Sequence, residues 1–308
     1  MNIGILGFGI VGSGVYEVAM KCNKGISVKS ILDIRDFSSH PARELFVDSY
    51  DKILSDSSIS TVVETIGGLN PAYQYTKAAL EKGKNVVTSN KELVAKHGRE
   101  LSEIAAKAGV YYLYEASVGG GMPIIRPLKQ CLAANQITEI YGILNGTTNY
   151  ILTRMSEEGG RFDDALAEAQ EKGYAEKNSA DDVEGHDTCR KIIILSSLAF
   201  GKNISCDKIP VKGITSITKD AISKAKATGH VIKLIGHAKI VDGEVQCKVE
   251  PMPIPNSSLL ANVNGVYNGV MVHGEPVGDV MFYGLGAGKM PTASAVLADI
   301  IDIASRQK

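Results

Sequence analysis

Short apolar runs alternate with longer segments of helical periodicity over residues 1–135. The runs are rich in Val and Ile and are bounded by Gly or polar residues, which is typical of buried strands. The predicted strands are Asn2–Leu6, Ser27–Leu32, Thr61–Glu64, Asn85–Thr88 and Val110–Ser117. Repetition of strand and helix predicts an α/β fold of the Rossmann type. Such a doubly wound parallel sheet has its crevice at the carboxyl ends of the strands.

Periodicity and boundary residues mark the helices between these strands. The first helix carries Val11, Val15 and Val18 on one face. The remaining helices are predicted from proline in a first turn, glycine after a last turn and side-chain caps. One helix runs from Pro71 to Lys82 and is stopped by Gly83, a second is capped by Ser89 or Asn90, and a third spans 99–108 and is closed by Gly109.

The pattern changes after residue 135. A strand over Glu139–Leu144 leads into a polar turn, Asn145–Asn149, and a helix spans Phe162–Lys172. Segments between Val211 and Val272 are short and often alternate apolar with polar residues, which predicts antiparallel strands of a second, α+β domain. We therefore divide the chain into a first, α/β domain, 1–135, and a second, α+β domain, 136–285.

A glycine-rich turn follows the first predicted strand. Gly7–Gly12 reads GFGIVG, the G-x-G-x-x-G pattern, with a strand before it and a helix after it. Its glycines let the backbone approach a pyrophosphate at a helix N-terminus, although a purely structural tight turn is the alternative. Asp33 ends the second strand, where an acid suits the ribose 2′-hydroxyl of NAD. Arg35 and Arg43 follow, and either could bind the 2′-phosphate of NADP, so the preferred coenzyme stays open.

Four other segments follow predicted strands or precede predicted helices. Thr65-Ile66-Gly67-Gly68 follows the third strand, and Lys91 opens a helix although a cation opposes the dipole there. Such a conflict is expected at a functional position, and a surface lysine is the alternative. The loop from Glu115 to Pro123 contains three glycines, whose carbonyls could face a ligand or a hard cation. Gly284–Gly288 precedes Pro291-Thr292 and an amphipathic helix ending near Ala304.

The most highly charged stretch is Glu176–Lys191, which leads directly into the apolar run Ile192–Phe200. If Thr188 onward is helical, Asp187 and Lys191 lie at i and i+4 with the acid first, the favoured order. A lysine at the mouth of a buried core, oriented by a carboxylate, suits proton donation to a carbonyl oxygen. An exposed salt bridge at a helix start is the alternative.

Composition narrows the classes of partner and compartment. The 308 residues carry a formal net charge of −1, which gives no case for nucleic acid or an anionic membrane surface. Five cysteines stand far apart without a C-x-x-C pair, so a reducing compartment is the simpler expectation. No apolar run reaches the length of a membrane span, and the N-terminus lacks a signal-peptide pattern. We expect a soluble cytoplasmic protein.

Taken together, these segments resemble homoserine dehydrogenase. The resemblance extends over nearly the whole chain, in the blocks GFGIVG (7–12), TSNKELVAKHG (88–98), EASVGGGMPI (115–124), GILNGTTNYIL (142–152), GYAEKNSADDVEGHDTCRK (173–191) and GLGAGKMPTASAVLADI (284–300). It implies reversible NAD(P)H-dependent reduction of L-aspartate 4-semialdehyde to L-homoserine, in threonine, methionine and isoleucine biosynthesis. It also implies that 1–135 is a nucleotide-binding domain completed by the C-terminal helix, 286–308, and that 136–285 is a substrate-binding and dimerisation domain. The implied assembly is a homodimer.

The resemblance assigns roles residue by residue. It implies that Lys191 is the proton donor, that Lys91 is a second active-site lysine which also contacts substrate, and that Glu176, Asp182 and Asp187 hold the substrate's amino group and the lysines. A Na⁺ or K⁺ site is implied at Glu115, Val118, Gly120 and Met122. NADP or NAD contacts are implied at Gly7, Phe8, Gly9, Ile10, Val11, Gly12, Asp33, Arg35, Thr65, Ile66, Gly67, Ser89, Lys91 and Gly288.

One further expectation concerns regulation, and three concern rival functions. Because the sequence stops just after its last helix, we expect no threonine inhibition through a C-terminal regulatory domain. An aspartate dehydrogenase of the same architecture is the main rival function. A semialdehyde dehydrogenase would need a nucleophilic cysteine in a fitting loop, and a non-enzymatic NAD(P) sensor should lack Lys91 or Lys191.

Overall fold

A computed structural model describes residues 1–202 and 204–307. The chain forms two compact units, of which unit 1 is Met1–Gly121 with Ala287–Lys308 and unit 2 is Met122–Gly286. The first division therefore falls earlier than the predicted position 135. The reason is that a short π-helical turn, Pro127–Cys131, packs against a helix of unit 2. Its Leu128 side chain is buried there.

Unit 1 contains a parallel sheet of six strands. These are β1 Asn2–Leu6, β2 Ser27–Leu32, β3 Phe46–Val47, β4 Thr61–Glu64, β5 Asn85–Thr88 and β6 Tyr112–Leu113. Their spatial order, β3-β2-β1-β4-β5-β6, places the first strand at the centre, as in a doubly wound nucleotide-binding sheet. The predicted fold class is confirmed, although β3 was not predicted.

Four helices accompany the sheet of unit 1 before the chain enters unit 2. They are α1 Ile10–Lys21, α2 Tyr50–Ser55, α3 Ala72–Glu81 and α4 Lys91–Ala108. Asn90 caps α4 by accepting a hydrogen bond from the Leu93 N–H, so of the two predicted caps Asn90 is the correct one. Gly109 ends α4 in the left-handed conformation, as predicted. The helix is continuous from Lys91, and α2 was not predicted.

The predicted strand Val110–Ser117 is wrong over most of its length. Only β6 is extended, and a 3₁₀ turn, Glu115–Ser117, follows it. Ser117 donates hydrogen bonds from its backbone N–H and its hydroxyl to the Tyr114 carbonyl, at 2.9 and 2.7 Å. This local side-chain bond competes with strand pairing and folds the β-prone run into a turn.

Unit 2 contains an antiparallel sheet of five strands. They are β7 Gln136–Ile143, β8 His230–Val241, β9 Glu244–Pro255, β10 Tyr267–Glu275 and β11 Gly278–Leu285, in the order β11-β10-β7-β8-β9. The predicted antiparallel pairing is confirmed. The prediction of short strands is wrong for β8 and β9, which pair along twelve residues each. The predicted glycine-rich loop begins late, because Gly284 still belongs to β11.

Among the residues of unit 2 that the structure describes there are five α-helices. They are α5 Gly146–Glu158, α6 Phe162–Glu171, α7 Ala180–Val183, α8 His186–Phe200 and α9 Lys219–Ala227. The polar segment Asn145–Asn149 is not a separate turn as predicted. Asn145 is the N-cap of α5 and the residues after it form the first helical turn. A buried apolar cluster that includes Ile143, Ile235 and Leu260 lies among the strands and the turn that follows β9.

The last helix, α10 Lys289–Arg306, belongs to unit 1 and packs against α1. Ala293, Val296, Leu297, Ile300 and Ile303 are buried in the same apolar cluster as residues of β1 and β2. The expectation that the C-terminal helix completes this unit agrees with this packing.

Candidate active site

A buried ion pair lies at the start of α8. The Lys191 ammonium donates to Asp187 Oδ2 at 2.7 Å and to the Leu144 carbonyl at 2.8 Å. Lys191 is 8% exposed and Asp187 only 1%. The predicted i, i+4 pair on a helix is confirmed, and the alternative of an exposed salt bridge is wrong. A lysine ammonium has three donors, and the contacts with Asp187 and Leu144 fix the direction of two of them.

Asn145 joins two acids of the charged stretch, although no sequence pattern singles it out as a site residue. Its amide nitrogen donates to Asp182 Oδ1 at 2.7 Å and to Asp187 Oδ2 at 2.8 Å. Its amide oxygen accepts the Thr148 N–H at 2.8 Å and so caps α5. One side chain therefore fixes a helix start and spaces two carboxylates that are five residues apart in the chain.

The pKa of the Asp182 carboxyl depends on its burial and on the charged and polar groups around it. Burial raises the pKa of the Asp182 carboxyl, and the negative charge of Asp187 raises it further. The hydrogen bond from Asn145 and the charge of Lys191 act in the opposite direction. An ammonium group bound beside Asp182 would favour its ionised form in the same way. The cluster is thus chemically suited to a ligand that carries a positive charge.

The Leu144 carbonyl is a second anchor of Lys191. It also accepts the Asn268 amide at 2.9 Å, and Asn268 is fully buried in β10. β7 ends at Ile143, so the carbonyl lies where the sheet passes into the N-terminus of α5. Neither Leu144 nor Asn268 was predicted as a site residue. Their contacts depend on strand order, which residue spacing alone does not reveal.

Glu176 differs from the other predicted acids. It lies in the turn between α6 and α7 with an exposed side chain, and its backbone carbonyl accepts the Gln170 amide at 3.2 Å. Among the residues that the structure describes, the hydrogen bonds of the buried cluster do not include Glu176. Its predicted substrate role stays a prediction.

In unit 1, the glycine-rich turn joins β1 to α1 as predicted. Gly7 has a φ of +87°, and a Cβ on Gly12 would lie 1.9 Å from the Gly7 carbonyl oxygen. At Gly9 nothing lies within 4 Å of a Cβ position, and as the N-cap it offers no side chain to the first N–H groups of α1. Open backbone at a helix N-terminus fits a phosphate group.

The other residues of this turn have unequal exposure. Phe8 is buried among aromatic rings that include Phe37 and Phe46, and its N–H donates to Asp33 Oδ2 at 2.6 Å. Ile10 is exposed and Val11 is partly buried. Phe8 therefore ties the turn to the end of β2.

Asp33 and Arg35 form a pair of their own. Arg35 Nε donates to Asp33 Oδ1 at 2.9 Å and Nη2 donates to Oδ2 at 2.8 Å. The hydrogen bond from the Arg35 guanidinium holds the pKa of the Asp33 carboxyl well below its usual range. β2 ends at Leu32, so these side chains meet through a bend. The contact therefore does not depend on the two residues sharing one face of a strand.

A cleft of about 860 Å³ opens beside this pair in unit 1. Residues of the glycine-rich turn, the end of β2 and the loop after β4 line it, among them Gly7, Gly9, Asp33, Arg35, Thr65 and Ile66. Arg43 lies on an exposed turn and pairs with Glu44 at 3.2 Å. Of the two arginines considered from the sequence, Arg35 is the one that lines the cleft.

A buried carboxylate missed by the sequence reasoning organises the next two loops. Glu64 Oε1 accepts the N–H groups of Ile66 and Gly67, and Oε2 accepts the Thr88 hydroxyl at 2.5 Å. Burial raises the pKa of this carboxyl. Its position as the last residue of β4 was predicted, but its burial depends on the neighbouring strand.

The loop after β5 is fixed by Asn90. Its amide donates to the Gly68 carbonyl at 2.6 Å, which connects it to the loop after β4. Ser89 and Lys91 flank Asn90 and are both partly buried. Lys91 occupies the first position of α4, as predicted, and Glu92 follows it in the same turn.

The remaining predicted residues lie in the loops after β6 and before α10. Glu115 is buried, and its N–H donates to Asp299 of α10 at 2.8 Å. Val118 is buried, Gly120 has a φ of +54°, and Met122 is a buried residue at the start of unit 2. Gly288, with a φ of +123°, is the N-cap of α10. Within 1–202 and 204–307 there is no cluster of three or more His, Cys, Asp or Glu residues suited to a metal ion.

The Rossmann-type sheet, its glycine-rich turn and the buried lysine–carboxylate pair define an NAD(P)-dependent oxidoreductase. Two family models match the chain: "Homoserine dehydrogenase, NAD binding domain" over residues 7–115 and "Homoserine dehydrogenase" over residues 123–301. The chain belongs to the homoserine dehydrogenase family. Its activity is the reversible NAD(P)H-dependent reduction of L-aspartate 4-semialdehyde to L-homoserine.

The chain is similar to known homoserine dehydrogenases over nearly its whole length. Homoserine dehydrogenase of Synechocystis is 45% identical, across 98% of this chain and 73% of that protein. The crystal structure of a homoserine dehydrogenase from Thiobacillus denitrificans superposes with a TM-score of 0.93 at 40% identity, covering 98% of this chain and 73% of that one. A hyperthermophilic archaeal homoserine dehydrogenase in complex with NADPH has a TM-score of 0.85 at 28% identity, covering 99% and 98%.

These matches decide between the rival functions considered from the sequence, in favour of homoserine dehydrogenase over an aspartate dehydrogenase, a semialdehyde dehydrogenase or a sensor. Across the described part of the chain, no helix is both long and apolar enough to cross a membrane.

Proposed function

We propose that Lys191 donates the proton to the aldehyde oxygen of the semialdehyde, and accepts it back in the reverse direction. The observation that carries this role is the buried contact with Asp187 at 2.7 Å. When bound, the nicotinamide supplies the hydride at its C4 position. Lys191 then neutralises charge that develops on the oxygen, and a fixed donor in a buried site does this without reorganisation. Asp187 and the Leu144 carbonyl orient the ammonium.

The acids of unit 2 are proposed to hold the substrate's amino group. Asp182 and Asp187 lie in one hydrogen-bonded cluster, and an ammonium offsets the repulsion between them. Glu176 adds a third acid from the exposed turn. Lys91 is proposed as the second active-site lysine and as a substrate contact. Its position in the first turn of α4 leaves its charge opposed to the helix dipole, which favours an anionic partner.

The activity and its substrate are tested by absorbance at 340 nm. Purified protein with L-homoserine and NADP⁺ or NAD⁺ should form reduced coenzyme, and L-aspartate in place of homoserine should not. Reduction with aspartate alone would favour an aspartate dehydrogenase and contradict the assignment. We also propose that the protein uses both coenzymes with a modest preference for NADP, because Arg35 lines the cleft beside Asp33. Parallel kinetics with NAD⁺ and NADP⁺ test this preference.

Asn145 is proposed as a positioning residue for the two acids. Asn145→Ser should keep the α5 cap, since Ser is also a favoured N-cap, but should lose the amide donor to Asp182 and Asp187. We expect kcat/KM for homoserine to fall by roughly tenfold, from loss of hydrogen bonds to charged groups, with the KM for coenzyme nearly unchanged. Steady-state kinetics with each substrate varied in turn measure this split.

Asn145→Asp is the informative second variant. It keeps an oxygen for the Thr148 N–H but adds a third carboxylate to the cluster, so its loss of kcat/KM should exceed that of Asn145→Ser and should shrink at low pH. Wild-type kinetics in both variants would show that Asn145 only caps α5.

A cation is proposed at the loop after β6, as Na⁺ or K⁺ held by Glu115, Val118, Gly120 and Met122. Support comes from the buried Glu115 and from a glycine with positive φ in that loop, which turns backbone carbonyls away from regular pairing. Replacing all alkali cations with tetramethylammonium should lower kcat or the melting temperature, with partial recovery on adding back Na⁺ or K⁺. Unchanged activity and stability in the organic cation would argue against the site.

We also propose that the chain forms a homodimer through unit 2 and acts in the cytoplasm, in the biosynthesis of threonine, methionine and isoleucine. Light scattering after gel filtration measures the oligomeric state. A monomer at micromolar concentration would contradict the proposed dimer.

A further inference from the structure

Two cysteines of unit 2 lie in direct contact. Cys189 is buried in the first turns of α8, and Cys206 opens a 3₁₀ turn, Cys206–Lys208, where it is only partly buried. Their sulfur atoms are 2.8 Å apart. A disulfide bond needs about 2.05 Å, so the two sulfurs are within about 1 Å of bonding distance.

The surroundings make the two thiols unequal. A hydrogen bond from Cys189 and the charge of Arg190 lower the pKa of the Cys206 thiol, against burial and the charge of Asp207. The hydrogen bond to Cys206 and burial raise the pKa of Cys189. Cys206 is also the more exposed of the two residues, so its thiolate is the one that meets a peroxide first, and Cys189 is the thiol that reacts second.

The other three cysteines lack this arrangement. Cys22 belongs to unit 1 at the end of α1, and Cys131 lies exposed on the π-helical turn. Cys247 is buried in β9, and burial raises the pKa of its thiol to about 11. All five are free thiols.

We propose that Cys189 and Cys206 are a redox modification site, which a peroxide converts to an intrachain disulfide. The Cys206 thiolate attacks a peroxide oxygen, the O–O bond breaks, and a sulfenic acid forms with release of water after proton uptake. Cys189 then attacks that sulfur, the S–O bond breaks, and a second water leaves. In total two thiols and one hydrogen peroxide give one disulfide and two waters, and a dithiol reductant reverses the change.

The Cys189–Cys206 disulfide would attach to the face of α8 opposite Lys191, the proposed proton donor. Residues two positions apart in an α-helix differ by about 200° around the helix axis. Cys189 is two positions from both Asp187 and Lys191, so it lies on the opposite side of α8 from them. Drawing its sulfur toward Cys206 shifts the first turns of α8 by a fraction of an ångström. Misplacement of a catalytic group on that scale costs rate. This consequence rests on the role proposed for Lys191, whereas the modification itself does not.

The modification is tested by intact mass and peptide mapping. Titration with hydrogen peroxide should remove two hydrogen atoms per chain, and digestion should yield one linked pair of peptides containing Cys189 and Cys206. Cys206→Ser should abolish the link, and the matched control Cys131→Ser should retain it. An unlinked Cys189, or stable sulfinic acid at Cys206 in the wild type, would overturn the proposal. Because the mass readout needs no turnover, it is independent of the assigned activity.

The coupling to catalysis is tested on the same samples. The disulfide form should have a kcat lowered at least about twofold, with full recovery after dithiothreitol, while Cys206→Ser keeps its kcat under the same peroxide treatment. Complete disulfide formation with unchanged kcat would overturn the coupling. Loss of kcat in peroxide-treated Cys206→Ser would assign the effect to another residue and overturn it as well.

Discussion

Lys191→Ala is expected to lower kcat by about 10²-fold or more, the range for removal of a positioned general acid. The KM for coenzyme should change little, because Lys191 belongs to unit 2 while the residues that line the nucleotide cleft belong to unit 1. Removing the ammonium also leaves the Asp187 carboxylate buried without its charged partner, which costs stability. Turnover should therefore be compared at a temperature where both proteins are folded, by single-turnover reduction of the semialdehyde.

Lys233 provides a matched control for the loss of a buried lysine in unit 2. Its ammonium donates to the Asn149 amide oxygen at 3.0 Å, the Val263 carbonyl at 2.6 Å and the Asn264 amide oxygen at 2.9 Å. Burial lowers its pKa to about 8. With all three donors used by protein oxygens, Lys233 is structural, so Lys233→Met should lower the melting temperature and leave kcat largely intact.

A second control separates charge from position at Lys191. Lys191→Arg keeps a cation but cannot lose a proton near neutral pH, so it should retain substrate binding and lose most of kcat. Turnover close to wild type in Lys191→Ala would remove this lysine from the mechanism. A drop of equal size in Lys233→Met would show that the measurement reports folding and not proton transfer.

The contrast between Lys191 and Asn145 shows which site residues a sequence can reveal. Lys191 and Asp187 lie four residues apart on one helix, so their contact follows from helical spacing and the apolar run behind them. Asn145 meets Asp182 and Asp187 at separations of 37 and 42 residues. Those contacts exist only because the β7–α5 connection lies beside α8, a tertiary fact that no local pattern encodes.

The fold shows the same division between local and distant causes. β1, β2, β4 and β5 have the predicted bounds. The central strands β1, β4 and β5 are buried along almost their whole length, and such strands of a parallel sheet read as short, largely apolar runs. β2 is partly exposed but contains the buried residues Val28 and Ile31. β3 has only two residues, Phe46 and Val47, and exists by pairing with β2. Its run is too short to carry a pattern, so it was missed. In the opposite sense, Val110–Ser117 has strand propensity throughout but folds into a turn after Leu113.

Arg35→Ala is expected to change coenzyme preference toward NAD. In the protein, the Arg35 guanidinium donates twice to Asp33, and Asp33 also accepts the Phe8 N–H at 2.6 Å. The carboxylate is thus fixed under the glycine-rich turn with its charge offset by one arginine. A ribose 2′-phosphate at this position needs the guanidinium for a charged hydrogen bond, whereas a 2′-hydroxyl can donate to Asp33 directly.

Loss of Arg35 removes the phosphate's partner and also leaves the negative charge of Asp33 without its offset. NADP⁺ binding should therefore weaken by about 1–3 kcal/mol, the value of a hydrogen bond to a charged group, or roughly 5- to 150-fold. NAD⁺ binding should change by less than about threefold. Isothermal titration calorimetry with NADP⁺ and with NAD⁺ measures both constants, and Arg43→Ala is the matched control because Arg43 pairs with Glu44 on an exposed turn.

The dependence of coenzyme affinity on salt is a second test of the contact between Arg35 and the 2′-phosphate. Since exposed charge interactions are screened by salt, the NADP⁺ affinity of the wild type should fall with ionic strength more steeply than that of Arg35→Ala, and the NAD⁺ affinity should be flat in both. Equal losses for the two coenzymes in Arg35→Ala would show that Arg35 never contacts the phosphate. In that case the free Asp33 carboxylate would favour the ribose diol, and the protein would be an NAD enzyme.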